Sequence, residues 1–339
     1  MSSPLSEFDL IARFFAASSQ AAERVPSLGV VRGVGDDAAL LTPSPDHQLV
    51  VTSDTMVAGV HFFPDVDPES LGYKLAMVNL SDLAAMGAIP RWAILNLTLE
   101  TASADWLHAF ARGLHEALQG YGVVLVGGDT TRGPMTLSLT LQGEVPSGQA
   151  ILRSGAQMGD RIAVSGPLGG AAYALQLLQS DPLNPDLLQV REALERPQAR
   201  VEFGQRLRGL AHACVDVSDG FLADLGHLLK ASGVAAQIDC SALPFHPALQ
   251  VLEPNDALIY ALTGGEDYQL VFTYRAADAD ALALLLPEGW QAVGEIVADE
   301  QGAGKVELHN HFGVSLATLQ SGYDHFGASP DLVGVIKNS

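Results

Sequence analysis

The sequence holds only two cysteines, Cys214 and Cys240, and neither sits in a Cys-x-x-Cys spacing. That excludes a disulfide framework and a thiolate zinc site, and it suits a reducing compartment. Basic residues are also scarce: 18 Lys and Arg stand against 39 Asp and Glu, a formal charge of -21. A molecule this acidic repels a phosphate backbone, so nucleic acid is excluded as a partner on electrostatic grounds. No apolar run approaches the roughly 20 residues that a bilayer span needs. The opening stretch MSSPLSEFDLIARFF has neither a basic segment nor a small-residue cleavage site, so no membrane association is expected and the expected location is the cytoplasm. Two phosphoryl-transfer signatures are missing as well. The nearest Gly-Lys pair, Gly304-Lys305, is followed by Val306 rather than Ser or Thr, and the protein-kinase motif set is absent.

What is present describes a loop-rich globular chain: 48% hydrophobic residues, with 34 Gly and 18 Pro spread along it. At about 150 residues per domain, 339 residues suggest two domains. The stretch PSGQ at 146–149 is the expected joint, giving domains 1–148 and 149–339. Leu5, Phe8, Ile11, Phe14 and Phe15 have the spacing of a short helix over 5–16. LVVTSDTMV reads as a strand with carboxylates at strand edges, and Asp67-Pro68 opens a helix running to about Met86. WAILNLTL, VVLVGGD and MTLSLTLQGEV read as further strands around the helix ADWLHAFARGLHEALQGYG. The second half repeats the alternation: strand RIAVSG, turn GPLGG and a helix from Ala171, then strand ACVDV and a helix capped at Ser218 and stopped at Gly233. The fold class is α/β (α+β), with mixed pairing.

Five acidic clusters dominate: Gly35-Asp36-Asp37, Thr52-Ser53-Asp54-Thr55, Asn79 to Asp82, Gly127-Gly128-Asp129-Thr130 and Asp216-Val217-Ser218-Asp219-Gly220. Each alone is a common turn or cap. Asp82 is different, because it falls on the same helical stripe as Leu71, Leu75 and Val78. A carboxylate facing a core needs a partner, either an arginine from elsewhere or a hard divalent ion, and the nearest bases in sequence are Lys74 and Arg91. Carboxylates that converge without enough bases repel one another, whereas magnesium takes oxygen ligands and bridges to substrate phosphates. The hydroxyls of Thr52 and Ser53 suit that ion, and the absence of Cys and His from the clusters argues against zinc.

The glycine-rich turns suggest phosphate as a ligand, since Ser218-Asp219-Gly220 leads directly into a helix N-terminus; GPLGG is a weaker instance. Other residues keep two readings each. His61, in AGVHFF, reads as a core histidine or a polar substrate contact, and Arg153, in LRSGA, as a surface residue or a phosphate clamp. Glu266 and Asp267, in LTGGEDYQL, follow a glycine pair that is also a plain turn, and Tyr323, in SGYDHF, also suits ordinary packing.

Taken in order, GVGDDAALL, TSDTMVAGVHF, YKLAMVNLSDLAAMGA, GGDTTRGP, LRSGAQMGD, VDVSDGFLADLGH, LTGGEDYQL and GYDHF give the chain, over nearly its whole length, a resemblance to the thiamine-monophosphate kinase family of the aminoimidazole ribonucleotide synthetase-like superfamily. The resemblance implies a fold of two α/β domains, each a mixed sheet with packed helices, the first pairing with its twin in a homodimer. It implies ATP as co-substrate, thiamine phosphate as acceptor and several Mg²⁺ ions. Carried over by position, Asp37, Thr52, Ser53, Asp54, Asp82, Asp129, Asp216 and Asp219 resemble the magnesium ligands, with Asp54, Asp129 and Asp219 catalytic. Gly128, Asp129, Arg153 and Ser218 resemble nucleotide contacts, and His61, Glu266 and Tyr323 the thiamine phosphate contacts. Two rivals are another enzyme of the superfamily and a non-enzymatic acidic ion-binding protein. A selenophosphate synthetase would want a reactive N-terminal cysteine, and the first here is Cys214; an ion binder has no use for Arg153, GGEDY and GYDHF.

Overall fold

The computed structural model describes residues 13–101, 103–298 and 304–310. The expected helix over 5–16 lies mostly outside them, and so does Tyr323. The chain divides into two units, one of residues 1–83 and 88–150, the other of 84–87 and 151–339. In chain order the first contains α1 (Ala16–Ala22), β1 (Val30–Arg32), β2 (Leu40–Leu41), β3 (His47–Val57), α2 (Pro68–Ala85, whose last two residues group with the second unit), β4 (Ile89–Leu99), α3 (Ala104–Gly120), β5 (Val124–Arg132) and β6 (Thr136–Pro146).

Four of these strands form one sheet in the order β3-β6-β4-β5, antiparallel except for the parallel pair β4 and β5. Leu137, Leu139 and Leu141 of β6 and Leu95, Leu97 and Leu99 of β4 are buried, and the residues between them are more exposed. That period of two marks a sheet with one fully covered face; on the other, Ala22 and Val30 pack against Trp92, Val124 and Val126 on the β4–β5 side and β3 is left open. The covering helix α2 starts as its sequence requires. Asp67 accepts hydrogen bonds from the Ser70 N–H (2.9 Å) and hydroxyl (3.0 Å), and Pro68 takes the first helical position. Leu71, Leu75, Leu80 and Leu83 are fully buried along it.

Helices α2 and α3 cross on glycines. A Cβ on Gly72 would run into the Phe110 carbonyl oxygen, and one on Gly113 into that of Glu69. Only a residue without a side chain lets two helix backbones approach this closely.

The second unit contains β7 (Asp160–Val164), α4 (Gly170–Ser180), α5 (Leu187–Glu195), α6 (Val201–Leu207), β8 (Ala211–Asp216), α7 (Phe221–Ser232), β9 (Ala235–Asp239), α8 (Pro254–Thr263), β10 (Leu270–Arg275), α9 (Ala279–Leu285), β11 (Gln291–Val297) and β12 (Val306–His309). Its six-stranded sheet has the order β12-β9-β11-β7-β10-β8, with only β12 and β9 parallel. Ile162, Val164, Val215, Phe221, Leu225, Leu228, Ile238 and Val271 form the core beneath α7, while Tyr173, Leu177, Leu187 and Val190 form a smaller one between α4 and α5. Gly233 ends α7 in the left-handed conformation (φ 69°), as its sequence predicts. Among the described residues no helix is long and apolar enough to cross a membrane.

The glycine crossing makes a direct prediction. Gly113→Ala should lower stability by about 1–3 kcal/mol through overpacking, read as a lower urea midpoint at unchanged slope; an unchanged midpoint would contradict the backbone contact.

Candidate functional site

In the first unit the alternation of β3 sorts the acidic cluster. Thr52 and Asp54 face α2, where the Thr52 hydroxyl donates to the Asp82 carboxylate and the Asn79 side-chain oxygen accepts the Asp54 N–H at 3.1 Å. Asn79 is fully buried and anchored by its own amide to the Leu75 carbonyl at 3.0 Å. Burial, and then the Asp82 carboxylate beside it, push Asp54 up to about 7. Asp82 is half-buried, not sealed in a core, and its partners include the Thr52 hydroxyl and the Asp54 carboxyl. Arg91, one of the two bases nearest in sequence, is committed to the buried Glu144 at 3.2 Å.

The other residues predicted for this cluster point elsewhere. Ser53 bonds Thr140 across the open face at 2.8 Å. Asp129 shares a register row with Asn96, Ser138 and Thr55, and it is exposed. Neighbouring strand residues project to opposite faces, so the Ser53 side chain points away from those of Thr52 and Asp54. Asp54 also lies well inside an 11-residue strand and not at its edge, against expectation. Asp37 is exposed beside Asp36, whose carboxylate accepts the Asp37 N–H at 2.9 Å. His61 is half-buried just after β3, and its Nδ1 accepts the Val57 N–H at 3.0 Å, which makes Nε2 the protonated nitrogen of the neutral ring.

In the second unit three glycine-rich loops meet at one edge of the sheet. The ends of β7 and β8 flank the start of β10, with Val164 opposite Val271 and Asp216 opposite Leu270. This brings Ser218, Asp219 and Glu266 together beside the buried Asp216: the Glu266 N–H donates to the Ser218 carbonyl at 2.8 Å. The helix cap differs from expectation. Gly220, not Ser218, is the N-cap of α7, and the capping group is Asp224, whose Oδ2 accepts the N–H groups of Ser218, Asp219 and Gly220 at 3.0, 3.0 and 3.1 Å. At GPLGG, Asp267 accepts the Gly169 N–H at 2.7 Å and that of Ala171 at 3.5 Å.

The amides of the loop leading into α7 and those that open α4 are therefore held by the protein's own carboxylates. Burial pushes Asp224 and Asp267 each up to about 7, against the N–H donors that pull them down. Asp267 stood in the sequence only as part of the GGEDY turn, and the only signal for Asp224 was an acid four residues beyond the glycine that opens the helix.

Arg153 is exposed, and its backbone is held by Ser232 at the far end of α7, about 18 Å along the helix from Ser218. Within this unit Arg153 and Ser218 do not form one cluster. Both cysteines are buried, and burial raises the Cys214 thiol and pushes that of Cys240 up to about 11. Among the described residues no group of three or more His, Cys, Asp and Glu side chains is placed to hold a metal ion. The cation-fitting set is two carboxylates and a hydroxyl at Asp54, Asp82 and Thr52.

The model of the AIR synthase related protein N-terminal domain matches residues 35–145, and that of the C-terminal domain residues 157–307. The thiamine-monophosphate kinase of Escherichia coli strain K12 is 44% identical over 331 residues, covering 94% of this chain and 98% of that protein. The crystal structure of thiamine-monophosphate kinase from Stenotrophomonas maltophilia K279a is 46% identical at a TM-score of 0.80, covering 90% and 96%. AaThiL complexed with AMPPCP and TMP is 29% identical at a TM-score of 0.73, covering 96% and 100%.

The raised Asp54 gives a pH prediction. Folding holds its proton more tightly than the unfolded chain does, so its contribution to stability is complete below about pH 4 and is lost as pH rises through about 7. Asp54→Asn is neutral at every pH. In chelator, its melting temperature relative to the parent should therefore rise between about pH 5 and pH 8; a constant difference would contradict the carboxylate pair.

Proposed function

The chain belongs to the thiamine-monophosphate kinase family of AIR synthase related proteins, and from that membership we propose how its residues carry out the reaction. The ATP γ-phosphate passes to thiamine phosphate, giving thiamine diphosphate and ADP by direct in-line transfer. The acceptor monoester has a second pKa of about 6, so at neutral pH it is already largely an oxyanion nucleophile and needs no general base. The protein's task is to align two anions and to offset charge on the transferring group.

The observation that supports this reading is the Thr52, Asp54 and Asp82 set: hard oxygen donors with surplus negative charge and neither thiol nor imidazole among them. Magnesium fits those donors. When bound, it neutralises phosphate charge and lets an acidic surface hold anionic substrates.

Several magnesium ions would be shared among Asp37, Thr52, Ser53, Asp54, Asp82, Asp129, Asp216 and Asp219. Strand alternation supports reading Thr52, Asp54 and Asp82 as one donor set and Ser53 and Asp129 as another. Asp54, Asp129 and Asp219 are the catalytic members. Gly128, Asp129 and Ser218 contact the nucleotide, and Arg153 joins them on the strength of the resemblance alone. His61, Glu266 and Tyr323 contact thiamine phosphate. In this reading residues 1–148 bind nucleotide and metal and form the dimer, residues 149–339 form the second α/β domain, and the reaction takes place in the cytoplasm.

The dimer reading is supported by the open face of β3, where Leu49 and Val51 are 49% and 60% exposed on an edge strand. A second copy laid on that face would remove both from water.

With Mg-ATP, the protein should convert thiamine phosphate to thiamine diphosphate and leave free thiamine untouched, because an alcohol of high pKa would need a base. Chromatography of the three thiamine species decides it: phosphorylation of free thiamine at a comparable rate would overturn the mechanism. Sedimentation should give twice the chain mass, and Val51→Glu should shift it to monomer; a monomeric parent would refute the interface.

A further inference from the structure

The segment Gly264–Gln269 carries a backbone that no strand or helix would adopt. Glu266 (φ 66°) and Tyr268 (φ 50°) are both left-handed, a conformation disfavoured for residues with a Cβ. Three grips impose it. The Glu266 and Tyr268 N–H groups donate to the carbonyls of Ser218 and Val217, both at 2.8 Å. Between them the Asp267 side chain, 9% exposed, turns the opposite way onto the amides that open α4, 2.7 Å from the Gly169 nitrogen. Gln269 continues the anchoring, its Oε1 accepting from Ser165 Oγ at 2.9 Å and from Arg200 Nε at 2.8 Å.

We propose that Asp267 is a positioning residue: by tying the strained turn to the first amides of α4, it holds Glu266 in the one conformation that meets thiamine phosphate. The proposal rests on the reading of Glu266 as a substrate contact. A residue in an unfavourable backbone well stays there only while its surroundings enforce it. The grip from the 217–218 loop acts on backbone alone, whereas Asp267 supplies the side-chain anchor between the two left-handed residues. If it is lost, Glu266 can relax toward the extended conformation that would simply prolong β10. The alternative is that Asp267 only caps α4, in which case its loss costs stability without changing substrate recognition.

Steady-state kinetics on the full chain separate the two. Thiamine phosphate is varied at saturating Mg-ATP and then the reverse, for the parent, Glu266→Ala, Asp267→Asn, Asp267→Ala and the double variant. Asp267→Ala should raise KM for thiamine phosphate about tenfold while KM for ATP stays within about twofold. Asp267→Asn, with one acceptor oxygen left, should fall between it and the parent. In the Glu266→Ala background, Asp267→Ala should add no further rise, since it acts through the residue already removed.

A lower melting temperature with both KM values unchanged overturns the proposal and leaves Asp267 a helix cap. The same rise with and without Glu266 also overturns it, while Glu266 keeps its role. Glu266→Ala with an unchanged KM for thiamine phosphate overturns the reading of Glu266, and the proposal with it. Should Asp267→Ala not fold, Asp267→Asn carries the test: a rise confined to thiamine phosphate supports the proposal, and no rise overturns it.

Discussion

A carboxylate taken out of water has to be met by a cation, a proton or a set of N–H dipoles, and a chain with 18 bases for 39 acids cannot rely on the first. Both units are organised around the ways in which that shortage is met. Glu144 has the direct solution, accepting from the Ser44 N–H at 2.6 Å and the Ser44 hydroxyl at 2.7 Å while Arg91 approaches to 3.2 Å. Asp160 takes His212 at 2.8 Å. Asp224 and Asp267 use backbone amides at helix starts instead, where several N–H groups point the same way and the helix dipole adds to them. Asp54 and Asp82 lie beside each other and the Thr52 hydroxyl, and burial together with the neighbouring carboxylate pushes Asp54 up to about 7.

That contrast separates scaffold from chemistry. The carboxylates held by amides or bases fix loops: Asp224 shapes the turn carrying Ser218 and Asp219, and Glu144 ties Ser44 to the sheet. Asp54 and Asp82, set side by side with a hydroxyl, are the carboxylates that the proposed function puts to chemical use. In that reading, a cation bound there would displace the proton that burial favours on Asp54.

Much of this was legible in the sequence. The alternation of apolar residues located the strands of the first sheet, Asp67-Pro68 marked the start of α2, and Gly233 marked the end of α7. Ordered motifs identified the family. What the motifs did not contain was direction. Thr52, Ser53 and Asp54 look like one donor run in one dimension, yet a strand sends the middle one to the opposite face. Similarly, Gly-rich turns before helices advertised free amides at 166–170 and 218–220, and only the folded chain shows Asp267 and Asp224 folding back to fill them. Asp224 lies inside the helix that it caps, and Asp267 comes from a loop about a hundred residues away from its amides. The Asp267 pairing depends on tertiary placement, which propensity and spacing do not encode.

Where α2 lies against α3 with nothing but backbone between them, the helix has also lost its freedom to turn. Side chains at a helix crossing act as soft bearings, able to change rotamer and let one rod roll over another. The contacts at Gly72 and Gly113 offer no such play. Asp82 stands ten residues further along the same helix, about 15 Å from that pivot. Each residue step turns a helix by about 100°, so even a modest roll would carry Asp82 out from under Thr52 and Asp54. The two glycines thus act as a keyway: remote from every ionisable group of the site, they set the angular phase at which its carboxylates come into opposition.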